Sequence, residues 1–223
     1  MRVAPETKIE DITIGSHARP HIAQCLLTLG MVPIEFHIAS SRLQMPMNGA
    51  TPSLYAKGME VGVARSYLAG EVCKMQPRPK YLFFFGDDML PPWDGLVALN
   101  EEMEKGNWDM LTALYYIKQD EVPTPLVHRD GIGWMKPGVH FEVGEVVWVD
   151  LTGLDFTLIR TDIFDKISQP YFKTGPTEVK EGVVSSHTED AWFIAKVKEV
   201  GGKVGVHTGI RVAHLDSKTG SIY

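Results

Sequence analysis

Asp87 and Asp88 stand side by side in FFFGDDMLPP, residues 83–92. The apolar run YLFFF at 81–85 precedes them, bounded by a Pro-rich turn and by Gly86. Its aromatic content fits a strand buried on both faces, as in a parallel sheet. Such a strand delivers both carboxylates to its C-terminal end, the edge where open α/β sheets bind ligands. Adjacent carboxylates repel each other, and a bound divalent cation removes the repulsion. Oxygen-only ligands suit Mg²⁺ or Mn²⁺. The competing account is a polar turn in which one Asp caps the following helix. A second acidic pair, Glu189 and Asp190, lies in SSHTEDAWFIAKV at 185–197. Ser186 and Glu189 have capping-box spacing, and acidic residues in a first turn favour the helix macrodipole. One carboxylate suffices for that, which leaves Asp190 as a candidate general base facing the sheet-edge cleft.

The remaining candidates are basic or imidazole groups. His207 and His214 lie in VGVHTGIRVAHLD at 204–216. A His near a strand end is ordinarily a satisfied polar residue, and His214 becomes a metal ligand only if the fold returns it to Asp88. His17 and His21 have i, i+4 spacing, but Pro20 intervenes and no third ligand is near, which argues against zinc. Arg65 lies beside an apolar helical stripe. It either lays its stem along the surface with its head in water or pairs with a phosphate. The phosphate loops GxGxxG and GxxxxGK[ST] and the GxSxG elbow are absent, which argues against dinucleotide enzymes, P-loop NTPases and α/β-hydrolases.

These residues need elements to hold them. Residues 9–14 (IEDITI) predict a strand, 21–30 (HIAQCLLTLG) a helix closed by Gly30, and 34–39 (IEFHIA) an alternating strand. Residues 40–53 read as a loop. In 54–75, Val61, Ala64, Leu68 and Val72 recur at helical spacing, and Pro77 and Pro79 break the pattern. A helix at about 93–105 and a strand at 108–114 follow the aspartate turn. This alternation implies an open α/β sheet. Residues 118–145 predict a Pro- and Gly-rich excursion over one end of the sheet. Strands follow at 146–150 and 154–159, and a helix at 161–167. A mobile loop is expected at 173–186, a helix at 188–200, and late strands at 204–207 and 210–215.

The whole chain sets outer limits. Its 223 residues suit one domain, and 44% hydrophobic with 22% charged residues is a globular balance. Lys and Arg total 22 against 28 Asp and Glu, a net charge of -6, which disfavours a broad nucleic-acid surface. Cys25 and Cys73 are too few for a disulfide framework or a thiolate zinc site, so a reducing cytoplasm is expected. The opening residues lack an apolar signal region, and no apolar run approaches the length of a membrane span.

Taken in order, the motifs resemble a GT-A-type glycosyltransferase of the large inverting, family-two-like group, in the short single-domain form seen in phage and bacterial genomes. The resemblance runs from about Ile9 to Asp216. It is carried by VGVARSYLAGEVCKMQPRPKYLFFFGDDMLPP, LTALYYIKQDEVPTPLV, DLTGLDFTLIRTDIFDKISQPYF and TEDAWFIAKVKEVGGKVGVHTGIRVAHLD. It implies an open, mostly parallel twisted sheet flanked by helices, with a nucleotide-binding half at about 9–115 and an acceptor half at about 116–216. It places Asp88 and His214 as metal ligands, Asp87 near ribose or metal-bound water, and Asp190 as catalytic base with Glu189 beside it. Arg65 matches a donor-site Arg, and Ser16 the position of the nucleotide base. Gly86 departs from the family, which commonly has an acidic residue there. The mixed carboxylate and imidazole shell leans toward Mn²⁺ over Mg²⁺. The implied partners are a nucleoside-diphosphate sugar, with UDP favoured, and an acceptor that is a glycan, a modified DNA base or a protein. The implied setting is the cytoplasm, the host's if the chain is phage-encoded. Two rivals stand beside this: a non-catalytic sugar-nucleotide or glycan-binding module, which Gly86 favours, and a nucleotidyltransferase. The latter normally shows a Gly-rich basic signature near the N-terminus, of which ITIGSHARP at 12–20 is a poor version.

Overall fold

A computed structural model describes residues 20–223 apart from 48, 50, 120–121, 176–177, 181–182, 186–187 and 217, with backbone alone at 118–119, 178–180 and 183–185. The expected strand at 9–14 and the residues Ser16, His17 and Ser186 lie outside the described residues. The first described strand is β1 (Ile22–Thr28), followed by helix α1 (Ile34–Arg42), β2 (Ser53–Lys57) and α2 (Val61–Lys74). This corrects two expectations. The 21–30 segment is a strand because it sits between two others and is apolar on both faces, and a short apolar run carries no period that separates strand from helix. The 34–39 segment is a helix: it buries Phe36 but leaves Ile34 and Ile38 exposed, so its alternation did not mark a buried face. The helical stripe starts only at Val61, and part of the expected helix is β2.

The next elements follow the sequence closely. They are β3 (Tyr81–Gly86), β4 (Met89–Leu90), α3 (Gly95–Glu104) and β5 (Met110–Leu114). Every residue of β3 is buried. Strand alternation sends Leu82 and Phe84 to one face with Ala64, Leu68 and Phe193. It sends Tyr81, Phe83 and Phe85 to the other face, with Phe36, Leu96 and Leu99. Each face is therefore covered by helices, which is why this strand reads as a solid apolar run.

The excursion contains the hairpin of β6 (Tyr116–Gln119) and β7 (Val122–Pro125), then β8 (Val127–Arg129) and β9 (Gly133–Trp134). After it come β10 (Val146–Trp148), β11 (Leu151–Thr152) and β12 (Phe156–Arg160). A 3-10 turn at Thr161–Asp165 stands where an α-helix was expected. The expected loop at 173–186 contains a hairpin of β13 (Glu178–Lys180) and β14 (Val183–Ser185). Then follow α4 (Glu189–Glu199), β15 (Val204–Arg211), β16 (Ala213–Asp216) and β17 (Ser221–Ile222).

The main sheet has seven strands in the order β10-β15-β5-β12-β3-β1-β2. β1 runs parallel to β2 and β3, and β15 runs parallel to β5. β12 is inserted antiparallel between β3 and β5, so both of these still point the same way. β10 is antiparallel at the edge. The C-terminal ends of β1 and β3 therefore open on one side, beside the N-terminal end of β12. Among the described residues no helix is long and apolar enough to cross a membrane.

Candidate functional site

The C-terminal ends of β1 and β3 and the first turns of α2 enclose a cavity of about 200 Å³. Thr28, Arg65, Gly86, Asp87, Asp88 and Asp155 supply its polar lining. Asp87 is partly buried. Burial pushes its carboxyl up, the neighbouring Asp88 adds to that, and the Thr28 side chain opposes it. The acidic turn thus meets the end of a buried strand, as the sequence implied. The alternative cap is not made: α3 begins after Asp94, with no side-chain cap bond.

His214 is returned to Asp88 by a small sheet. β16 pairs antiparallel with β4, setting His214 opposite Met89, and the Leu215 amide donates to the Asp88 carbonyl at 2.9 Å. The imidazole Nε2 lies 3.1 Å from Asp88 Oδ2, and Nδ1 lies 3.1 Å from the Tyr116 carbonyl oxygen. Both partners can only accept. Nδ1–H therefore donates to the carbonyl, and Nε2 faces the carboxylate either as a second N–H or across a cation. The hydrogen bond to Asp88 accordingly raises the imidazole, against the effect of its burial.

The same arrangement fits a divalent ion. Ligand bonds near 2.1 Å at right angles put two donor atoms about 3 Å apart. The carbonyl on Nδ1 also fixes the tautomer that leaves Nε2 to ligate. No group of three or more His, Cys, Asp or Glu able to hold a metal is present among the described residues. A cation held here by Asp88 and His214 would complete its shell from ligand phosphates and water.

Arg65 is at the centre of the second half of the site. It projects from α2 and is 2% exposed. Its guanidinium stacks over Phe84, with 5.0 Å between the guanidinium carbon and the ring centroid. Nη2 donates to Asp155 Oδ1 at 2.5 Å, and Nη1 donates to the Leu154 carbonyl at 3.3 Å. Nε lies 3.4 Å from Glu189 Oε1, an ion pair without the alignment of a hydrogen bond. Burial works against its charge, but Asp155, Asp190 and Glu189 outweigh it and hold the guanidinium cationic. Its head is thus not in water, which corrects the reading of a solvated guanidinium, and it lies in the lining of the cavity.

Glu189 and Asp190 open α4. Thr188 caps the helix by accepting from the Ala191 amide at 3.5 Å. The cap is therefore one residue before the acidic pair, and both carboxylates are left for other contacts. Glu189 is buried and Asp190 half-buried. Burial pushes the Asp190 carboxyl well above the usual carboxylate range; Arg65 opposes this, and Glu189 and Asp155 reinforce it. Tyr115 is buried nearby, its hydroxyl where a Cβ on Gly153 would stand only 1.5 Å away. Burial, then the charges of Asp155 and Asp190, push the phenol up.

Asp88, His214, Asp87 and Arg65 thus gather at one sheet edge, with Glu189 and Asp190 on the far side of Arg65. Ser16 lies outside the described residues. His207 is remote from the cluster, on β15 opposite Val146. Sequence reading missed Asp155 and Tyr115. The signal for Asp155 is the short TGLD step before an apolar strand. It becomes readable only once β12 is known to pair with β3, Phe156 opposite Phe85, which puts Asp155 beside Gly86.

No protein-family model matches the chain, and no curated protein matches it. Solved structures do. A197 from STIV is similar over 91% of this chain and 92% of its own, with a TM-score of 0.61 and 17% identity. The structure of GalNAc-T7 with UDP, GalNAc and Mn²⁺ is similar over 89% of this chain, with a TM-score of 0.57 and 10% identity. The chain spans 44% of that protein's length. At such identities the likeness is one of fold: the seven-stranded, largely parallel sheet flanked by helices is GT-A-like.

Proposed function

We propose that this chain is a glycosyltransferase that moves a sugar from a nucleoside-diphosphate sugar to an acceptor hydroxyl with inversion. The observation that carries the reading is the convergence at one sheet edge. Asp87 and Asp88 line a cavity, His214 lies 3.1 Å from Asp88, and buried Arg65 links the cavity to Glu189. UDP is the favoured nucleotide and Mn²⁺ the favoured ion. Support for both comes from the GT-A-like fold shared with a protein solved with UDP, GalNAc and Mn²⁺.

Asp88 and His214 would hold the ion. When bound, it supplies positive charge to the leaving diphosphate. Asp87 orients ribose or metal-bound water. Asp190 takes the proton of the acceptor hydroxyl as that oxygen bonds to the anomeric carbon. The bond from that carbon to the diphosphate breaks, and its electron pair leaves with the phosphate. Attack opposite the leaving group inverts the centre. Glu189 and Arg65 position Asp190 and set its proton affinity. A glycan, a protein or a modified DNA base can each present such a hydroxyl.

The test is release of UDP from a panel of UDP-sugars with Mn²⁺ and candidate acceptors. Asp190→Asn is expected to lower turnover by about 10²–10⁴-fold while leaving UDP binding unchanged. Full turnover in that variant removes Asp190 as the base. Donor binding by the unaltered chain with no turnover on any acceptor favours a binding module.

A further inference from the structure

Gly86 stands where the resembled family commonly has an acidic residue, and the space beside it is already taken. A Cβ built there would lie 2.9 Å from the Asp155 Cβ, 3.1 Å from its Cγ and 3.0 Å from Asp88 Oδ1. The Gly86 amide donates to the Asp155 carbonyl at 2.8 Å, which fixes the two backbones against each other. A carboxylate is therefore present at this spot, but it arrives from the antiparallel neighbour. It is also aimed. Arg65 grips Oδ1 at 2.5 Å, and among the described residues no donor takes the other oxygen. The side chain is one-third exposed and lines the cavity with Asp87 and Asp88.

We propose that Asp155 reads the sugar of the donor: its second carboxylate oxygen accepts a hydroxyl of the glycosyl unit held in the cavity. The position supports sugar over ribose. Asp155 stands just before β12, held by the same guanidinium whose Nε faces Glu189, and its charge is felt at Asp190, the proposed base. Asp87, by contrast, leans toward Thr28 at the end of β1. A carboxylate held by a buried guanidinium is pre-organised, so it is not reoriented when a hydroxyl arrives. Its charge makes the bond one of the stronger kind.

This rests on the donor reading above, and the experiment separates the two. The unaltered chain and Asp155→Asn are titrated calorimetrically with UDP, UDP-GalNAc and UDP-glucose, each with Mn²⁺. Asn keeps an oxygen for Arg65 and loses the charged acceptor. The expected result is UDP affinity unchanged within about threefold, with binding of at least one UDP-sugar weakened about tenfold or more. Equal loss of UDP affinity assigns Asp155 to the ribose or to the fold and overturns the proposal, as does unchanged binding of all three ligands. If the unaltered chain binds none of them, the donor reading itself fails and this inference falls with it.

Discussion

A buried guanidinium persists only while acidic partners compensate it, and removing one member of such a group leaves the others uncompensated. Arg65 has Asp155 and Glu189 within 2.5 Å and 3.4 Å, and Asp190 beyond them. Asp155 is one-third exposed, so the loss sits at the low end of the range. Arg65→Met is expected to cost about 3 kcal/mol in urea unfolding, and a loss below about 1 kcal/mol would mean that the cluster is not held by its charge. The shift at Asp190 has a kinetic sign as well. A base must be ionised, so the acidic limb of the pH–rate profile should stand well above the ordinary carboxylate range. Asp155→Asn removes a charge that raises Asp190 and should move that limb to lower pH. A limb at ordinary carboxylate values would remove Asp190 from the role. For folding, a raised carboxyl contributes fully below about pH 3.9 and loses that contribution as pH rises through its folded value. At Gly86 the expectation is steric. Gly86→Ala should cost about 1–3 kcal/mol through the contact with Asp155, and Asp155→Gly in the same chain should recover part of it, a non-additivity read by a double-mutant cycle.

Elements decide which of these residues meet. α2 carries Arg65, and its start is pinned by Glu60, which accepts from the Val63 amide at 2.9 Å and from the Thr174 hydroxyl at 2.6 Å. Burial is the largest single influence on Glu60 and opposes its charge, but the hydrogen bonds from Thr174 and the helix-start amides together outweigh it and lower its carboxyl. Its contribution is therefore present above the unfolded value near pH 4.3 and lost as pH falls through the lower folded one. Glu60→Ala should cost about 1 kcal/mol at neutral pH and less under acid, checked by urea midpoints at both; an equal loss at both would mean that its charge is not involved. The elements that were legible in the sequence have punctuated ends. β3 lies between Pro79 and the aspartate turn, α3 follows Pro91 and Pro92, and α4 stops at Gly201 and Gly202. At β1 and α1 the local pattern points the wrong way round. Seven apolar-rich residues fit either state, and burial by neighbours far along the chain made the choice. The Asp88–His214 meeting was expected from family resemblance, because no local pattern states that β16 pairs with β4. The position of Asp155 was not legible at all, since it depends on an antiparallel strand inserted into a sheet whose other central strands run parallel.

At the scale of the molecule, the excess of six carboxylates acquires a location. Asp87, Asp88, Asp155, Glu189 and Asp190 crowd one edge of the sheet, with Arg65 as the buried cation among them. A diphosphate approaching this edge alone meets like charge, whereas one arriving with a divalent ion does not. Binding should therefore be conditional. Mn²⁺ with UDP at about 100 times Kd stabilises the folded chain by about 2.7 kcal/mol. For a chain of this size that raises Tm by roughly 5–11 °C. UDP with a chelator should give almost none of this, because the acidic edge is then uncompensated. Asp88→Asn and His214→Ala should each abolish most of the shift, while His207→Ala, remote from the edge, should leave it intact. A shift of equal size in the chelator would show that the nucleotide is held without a metal and would separate Asp88 and His214 from that role. The measurement is a melting series with Mn²⁺, UDP, both and neither, and the cooperative term between the two ligands is the quantity that decides.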